Sequence, residues 1–283
     1  MIKNYLSLIK FSHTVFALPF AAIGFLAGVA DGGSGNYLRL AVLVLLCMVF
    51  ARSAAMAFNR WADREIDSKN ERTAVREIPA GVISANNALI FTVVMSLSFI
   101  VTTWFINSTC FYLSPVALLV VLGYSYTKRF TPYSHIVLGI GLSLAPTGAY
   151  LAVTGQFSLV PVLFSLAVIS WVAGFDIIYS LQDEAFDKEQ ELHSIPARFG
   201  RSGALRISVF MHVLTSVFLL AAFMLGAYGT FSFIAWAGFT AMLIYQHLIV
   251  KPNDLSRVNL AFFTTNGVAS VMLAVLVIVD FLS

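Results

Sequence analysis

Apolar stretches close to 20 residues long recur along the entire chain, separated by short polar interruptions. At 1.5 Å of rise per helical residue, about 20 residues are what a hydrocarbon core of roughly 30 Å requires. The pattern therefore predicts nine transmembrane helices, near 14–30, 37–58, 86–106, 110–126, 134–153, 158–180, 204–228, 230–250 and 258–281. The first follows Lys3 and Lys10, as the core of a signal peptide would. It runs through Pro19 into further membrane sequence without a small-residue cleavage site, so it is expected to remain in the mature protein. The expected fold is an all-α, polytopic bundle, one domain over 1–283, with a lipid bilayer as solvent.

The polar interruptions are unequal. Two of them, 59–85 and 181–203, gather acidic and basic residues together. With the N-terminus inside, 15 of the 17 Lys and Arg fall on that side, leaving Arg39 outside and Arg52 within the second span. The positive-inside rule then predicts N-in, C-out, with the charged loops cytoplasmic; the expected location is a bacterial inner membrane. Composition agrees, since 59% of residues are hydrophobic and 11% charged, whereas a soluble domain spends about a quarter on charge. The net charge of +3 follows the membrane sides and points to no nucleic acid. Cys47 and Cys110 lie in apolar runs with no CxxC and read as small buried side chains. No obligate protein partner is implied.

The charged loops carry the candidate chemistry. Arg52, Asn59, Asp63 and Asp67 are spaced by seven, four and four. On a helix each step of four advances about 400°, so these side chains form one slowly turning stripe. Asp176, Tyr179, Asp183 and Asp187 form a second stripe if the helix continues past the membrane boundary. A shift of 120 residues superposes Asn59, Asp63 and Asp67 on Tyr179, Asp183 and Asp187; Ile78-Pro79-Ala80 recurs as Ile195-Pro196-Ala197 at a shift of 117. Segments 52–81 and 176–200 thus read either as a two-half pseudo-repeat or as two similar ligand sets of independent origin.

Clustered carboxylates at a membrane mouth repel one another and lose hydration unless cations are supplied. Oxygen-only donors (Asn59, Asp63, Asp67, Asp183 and Asp187) suit a hard cation, and Mg²⁺ is commonly held by a few carboxylates together with substrate phosphates. The implied ligand is a diphosphate. Arg72 and Arg76 after the first stripe, Lys128 and Arg129 at the end of the fourth span, and Arg198 after the second stripe supply cations for it. Each also reads as a positive-inside anchor. The five His residues, at 13, 135, 193, 212 and 247, are scattered and form no metal set; His13 and His193 are worth substituting.

NRWADREID followed by ERTAVREIPAG, the later DIIYSLQDEAFD followed by HSIPARFG, and the intervening YSYTKRFT resemble the UbiA superfamily of intramembrane prenyltransferases. The resemblance covers essentially the whole chain. KFSHTVFALPFA and HSIPARFG look most like the 4-hydroxybenzoate polyprenyltransferase-like branch. It implies that Asn59, Asp63 and Asp67 form the first metal-diphosphate motif and Asp183 and Asp187 the second, with Asp176 and Tyr179 lining the same pocket. Arg60 departs from the pattern, being commonly Asp in the family.

The implied reaction is Mg²⁺-dependent transfer of a polyprenyl group from polyprenyl diphosphate to an aromatic acid acceptor, such as 4-hydroxybenzoate, in ubiquinone or menaquinone biosynthesis. The same chemistry on a dihydroxynaphthoate, in futalosine-type menaquinone synthesis, is the alternative. Tyr124 and Tyr179 lie near the charged motifs and offer π faces to an allylic cation. Arg52 and Arg129 are candidates for the acceptor carboxylate; the base that removes the ring proton is left open. A secondary transporter would place its polar groups near mid-membrane rather than at the inside ends of the helices. A phosphatidyl-alcohol transferase would require an Asp-Gly that NRWADREID lacks.

Overall fold

A computed structural model describes residues 2–8, 17–226 and 228–283. Among these the chain is helical, with α1 (Ile2–Leu8), α2 (Leu18–Ala30), α3 (Tyr37–Ala62), α4 (Arg64–Lys69), α5 (Ala85–Trp104), α6 (Ser108–Thr127), α7 (Ser134–Thr154), α8 (Leu159–Ser180), α9 (Glu184–Glu189), α10 (Ile195–Leu225), α11 (Thr230–Ile249) and α12 (Asn266–Leu282). A 3₁₀ turn, Leu181–Asp183, joins α8 to α9, and a π-helix, Leu260–Thr265, leads into α12.

Eight of the nine predicted spans are long and apolar enough to cross a membrane. The predicted first span is the exception. Its described helix, α2, has 13 residues and starts where Pro19 pre-sets the first turn; positions 14–16 and His13 lie outside the described residues.

The chain forms two compact units. One, Met1–Thr14 with Gly35–Tyr126, contains α1, α3, α4, α5 and nearly all of α6. Asn36 caps α3 by accepting from the Arg39 amide at 3.0 Å, and the Arg39 guanidinium donates to the Phe105 carbonyl at 3.0 Å, tying the start of α3 to the end of α5. At the other end of α3, α1 packs Leu8 against Ala57, Ile83 and Ala88, with Tyr5 and Phe91 rings 4.9 Å apart.

The other unit, Val15–Ser34 with Thr127–Ser283, is built around α8. Lipid gives apolar side chains no reason to leave it, so membrane helices associate by close packing and interhelical hydrogen bonds. Helix α8 uses both. Its Trp171 contacts Phe20, Phe175 and Phe239, with ring centroids 5.2, 5.1 and 5.6 Å away. Trp171 also donates to Asn266 Oδ1 at 2.9 Å, and Gln246 donates to the same oxygen at 2.7 Å. Small residues bring backbones together: a Cβ at Gly139 would lie 2.5 Å from the Ile169 carbonyl, and one at Gly174 only 2.2 Å from the His212 ring. Ser208 donates to the Gly174 carbonyl at 2.7 Å, locking α10 to α8 there.

Helix α10 is not one rod. Gly200, at φ 67° and ψ 172°, divides it into a single turn carrying Ile195-Pro196-Ala197 and a long apolar segment. That positive φ favours glycine and explains why the apolar pattern of this span begins only after it.

Candidate functional site

The first acidic set sits where α3 ends, and the uninterrupted stripe expected there requires correction. Asp63 leaves the helix at φ −91° and ψ 2°, and the six-residue α4 starts directly after it. Backbone bonds from Asp63 N–H to Asn59 O (2.9 Å) and from Asp67 N–H to Asp63 O (2.7 Å) nonetheless carry the helical register across the break. Asn59, Asp63 and Asp67 are therefore still in succession. Asn59 Nδ2 donates to Asp63 Oδ2 at 3.1 Å. Asp63 and Asp67 are both buried, so neither is the solvated loop carboxylate that an acidic run usually is.

Asp67 is partnered from the following turn. Arg76 Nη1 donates to both of its oxygens, at 2.7 and 2.8 Å, and Thr73 Oγ1 donates to its carbonyl at 3.0 Å. Two predicted ligands thus meet directly, the arginine neutralising the carboxylate. Buried Arg60 interacts electrostatically with Arg76, Asp67, Glu77 and Tyr124. Arg52 interacts with Tyr124 as well. Arg72, by contrast, is exposed. Glu77, which the sequence did not single out, accepts from Ser7 of α1 at 2.6 Å, so the N-terminal helix braces the turn that presents Arg76.

The second set requires the same correction and shows the same break. Helix α8 passes through the 3₁₀ turn to Asp183, at φ −99° and ψ 3°, which begins the six-residue α9. The short helices α4 and α9 are offset by 120 residues, the shift that superposes the two motifs.

Asp187 interacts electrostatically with Asp183, Lys128 and His135, and the Ser194 hydroxyl hydrogen-bonds to it. Ser194 also caps α10, accepting from Ala197 N–H at 3.2 Å. The His193 amide donates to the Lys128 carbonyl at 2.8 Å. Asp176 is bound by His135, Nδ1 to Oδ2 at 2.7 Å. Tyr179 lies against Phe262 and Phe263 of the π-helix, at 4.2 and 6.1 Å between centroids. Arg129 and His193 are exposed, and the Arg198 guanidinium lies over the ring of Phe199 at 5.4 Å.

Sequence reasoning missed His135, Ser194, Glu77 and the Phe262–Phe263 wall. Ser194 alone had a signal, a serine ahead of an Ile-Pro helix start. Among the described residues no three His, Cys, Asp or Glu side chains converge as a metal cage. The donors in both sets are oxygens, and hard cations that complete their shell with water and substrate phosphate fit such a set.

The profile of the UbiA prenyltransferase family matches residues 17–268. The chain belongs to this family: it is a prenyl-transferring enzyme and an integral, multi-pass membrane protein. The 4-hydroxybenzoate octaprenyltransferase of Tolumonas auensis is 31% identical over 238 residues, 82% of each chain. The enzyme of the same name from Aromatoleum aromaticum is 29% identical over 265 residues, 94% of this chain and 86% of that one. The apo structure of a UbiA homologue from Aeropyrum pernix K1 superposes with a TM-score of 0.86 at 33% identity, over 95% of this chain and 98% of that one. A UbiA homologue from Archaeoglobus fulgidus bound to DMAPP and Mg²⁺ shares the fold, with a TM-score of 0.73 at 22% identity over 98% and 99% of the two chains.

Proposed function

We propose that this enzyme transfers a polyprenyl group from polyprenyl diphosphate to a hydroxylated aromatic acid of the 4-hydroxybenzoate type, in ubiquinone or menaquinone biosynthesis. The observation that carries the reading is the pair of matched acidic sets, each passing through a bridge-region aspartate into a six-residue helix. Sequence relatives named for 4-hydroxybenzoate octaprenyl transfer support the acceptor class. The site works on the cytoplasmic side of a bacterial inner membrane, within one catalytic domain formed by the entire chain.

In this reading Asn59, Asp63, Asp67, Asp183 and Asp187 hold Mg²⁺, largely through the diphosphate. The bound ion would neutralise charge on the leaving group. Arg72, Arg76, Lys128, Arg129 and Arg198 supply further positive charge, and stabilisation of this preorganised kind is often the largest catalytic contribution. The allylic C–O bond breaks with its electron pair leaving on the diphosphate. A carbon of the electron-rich ring bonds to the allylic carbon, and the ring loses a proton to recover aromaticity. Tyr124 and Tyr179 offer π faces to the cationic carbon. Arg52 or Arg129 would take the acceptor carboxylate.

The test is prenyl transfer by the purified protein in lipid from an allylic diphosphate to radiolabelled 4-hydroxybenzoate or 1,4-dihydroxy-6-naphthoate, with Mg²⁺ or EDTA, beside Asp63→Ala and Asp183→Ala. Magnesium-dependent product lost in both variants is the expected result, and the acceptor consumed identifies the ring. Undiminished transfer by the variants would overturn the role of the acidic sets.

A further inference from the structure

We propose that His135 is a positioning residue that holds Asp176 as the acceptor of a hydrogen bond from the ring hydroxyl of the aromatic substrate. The inference rests on the reading of this enzyme as a prenyltransferase acting on hydroxylated rings, and it says how that ring is recognised.

The imidazole is fixed from two directions. His135 lies in the first turn of α7 and is buried. Its Nε2 accepts from the Ile195 amide at 3.5 Å, so the ring hydrogen resides on Nδ1 and donates to Asp176 Oδ2 at 2.7 Å. One imidazole therefore links three elements: α7, the acidic stripe of α8, and the N-terminus of α10. With Oδ2 held, the rotation of the Asp176 side chain is set, and Oδ1 is left for a donor that arrives with substrate. The Asp176 side chain retains 23% of its exposure, whereas that of His135 retains 5%. The carboxylate is thus within reach of a ligand and the imidazole is not.

Charge determines which part of the acceptor Asp176 can receive. A carboxylate repels the acid group of a hydroxybenzoate and attracts its phenolic O–H. Asp176 precedes Tyr179 by one helical turn and Asp183 by two, on one face of α8 and its continuation. A hydroxyl bound at Asp176 would place its ring beside the Tyr179–Phe262 wall, one turn from the diphosphate-binding set. Accepting the O–H also leaves more electron density on the ring carbon that is alkylated; no proton need leave the hydroxyl for this. Sites built to bind a substrate hydroxyl discriminate strongly against analogues that lack the donor.

The experiment measures KM and kcat for 4-hydroxybenzoate and 4-methoxybenzoate, and KM for the allylic diphosphate, in the wild type, His135→Ala, His135→Asn and Asp176→Asn. The methoxy ring keeps the bulk but donates nothing. The wild type is expected to prefer the hydroxy acid by at least about 100-fold in kcat/KM. His135→Ala should raise the KM for the hydroxy acid about tenfold or more and lower that preference to within about tenfold, with a much smaller change in diphosphate KM. His135→Asn, whose amide can donate where Nδ1 does, should recover most of the preference. Asp176→Asn retains the shape of the carboxylate and should lose the preference even if His135→Ala fails to fold. Equal changes in both KM values, or a hydroxy preference unaltered in Asp176→Asn, would overturn the inference while prenyl transfer itself stands. Absence of transfer from the wild type to any hydroxylated ring would overturn the functional reading, and this inference with it.

Discussion

The contact between Gly174 and His212 allows a sharp test of how α8 is held. In Gly174→Ala the new Cβ would lie 2.2 Å from His212 Cδ2 and 2.3 Å from Nε2, where ordinary carbon contacts are about 3.5–4.0 Å. More than about 1 Å of movement is needed to restore contact distance. The imidazole cannot easily supply it, because it is buried and its Nδ1 is 2.9 Å from His247 Nε2. The backbone is equally confined by the 2.7 Å bond from Ser208 to the Gly174 carbonyl. Overpacking of about 1–3 kcal/mol together with about 1 kcal/mol for the strained His–His bond gives an expected loss of about 2–4 kcal/mol. Equilibrium unfolding in detergent measures it, and prenyl transfer should fall in parallel, because Asp176 and Tyr179 lie on the same helix just beyond the clash. His212→Ala removes the obstructing ring, so Gly174→Ala/His212→Ala should be more stable than Gly174→Ala alone. A single variant within about 0.5 kcal/mol of wild type, or a double variant no better than the single, would refute this account of the packing.

Arg76→Ala should destabilise the protein by about 3 kcal/mol by leaving buried Asp67 without its cation; adding Asp67→Asn should recover part of that stability in the same unfolding assay without restoring transfer. Asn266→Leu should lower the stability measured by thermal unfolding by at least about 2 kcal/mol, since Trp171 Nε1 and Gln246 Nε2 lose their shared acceptor. Ser194→Ala should reduce stability by about 1 kcal/mol through loss of the α10 cap. It should also slow transfer measured at saturating substrate, because the same hydroxyl contacts Asp187.

The membrane helices were legible because a 20-residue apolar run has few other physical uses, and the two acidic sets because spacing by four persists along the chain. What the spacing could not show is where the helices stop. Asp63 N–H still bonds to Asn59 O across the break, so the side-chain succession is the same whether the helix continues or restarts. His135 was invisible for a different reason. A single histidine at the start of an apolar run carries no pattern, and its partner Asp176 is 41 residues away. The π-helix that brings Phe262 to Tyr179 likewise has no residue signature, because its apolar residues would suit an α-helix equally well. Gly200 concealed the opposite error, since the polar residues before it read as loop although they form a capped turn of helix.

The bridge-region aspartates have a practical consequence for mutagenesis. Asp63 and Asp183 each carry a carboxylate and also form the joint at which a long helix hands over to a short one. Alanine there removes the acid and at the same time favours straightening of the joint, since it is the best helix former. Loss of activity in an alanine variant would therefore combine two deficits. Asparagine preserves the size and the low helix propensity of aspartate while removing its charge, so the difference between the Asn and Ala variants separates what the carboxylate binds from what the bend aims.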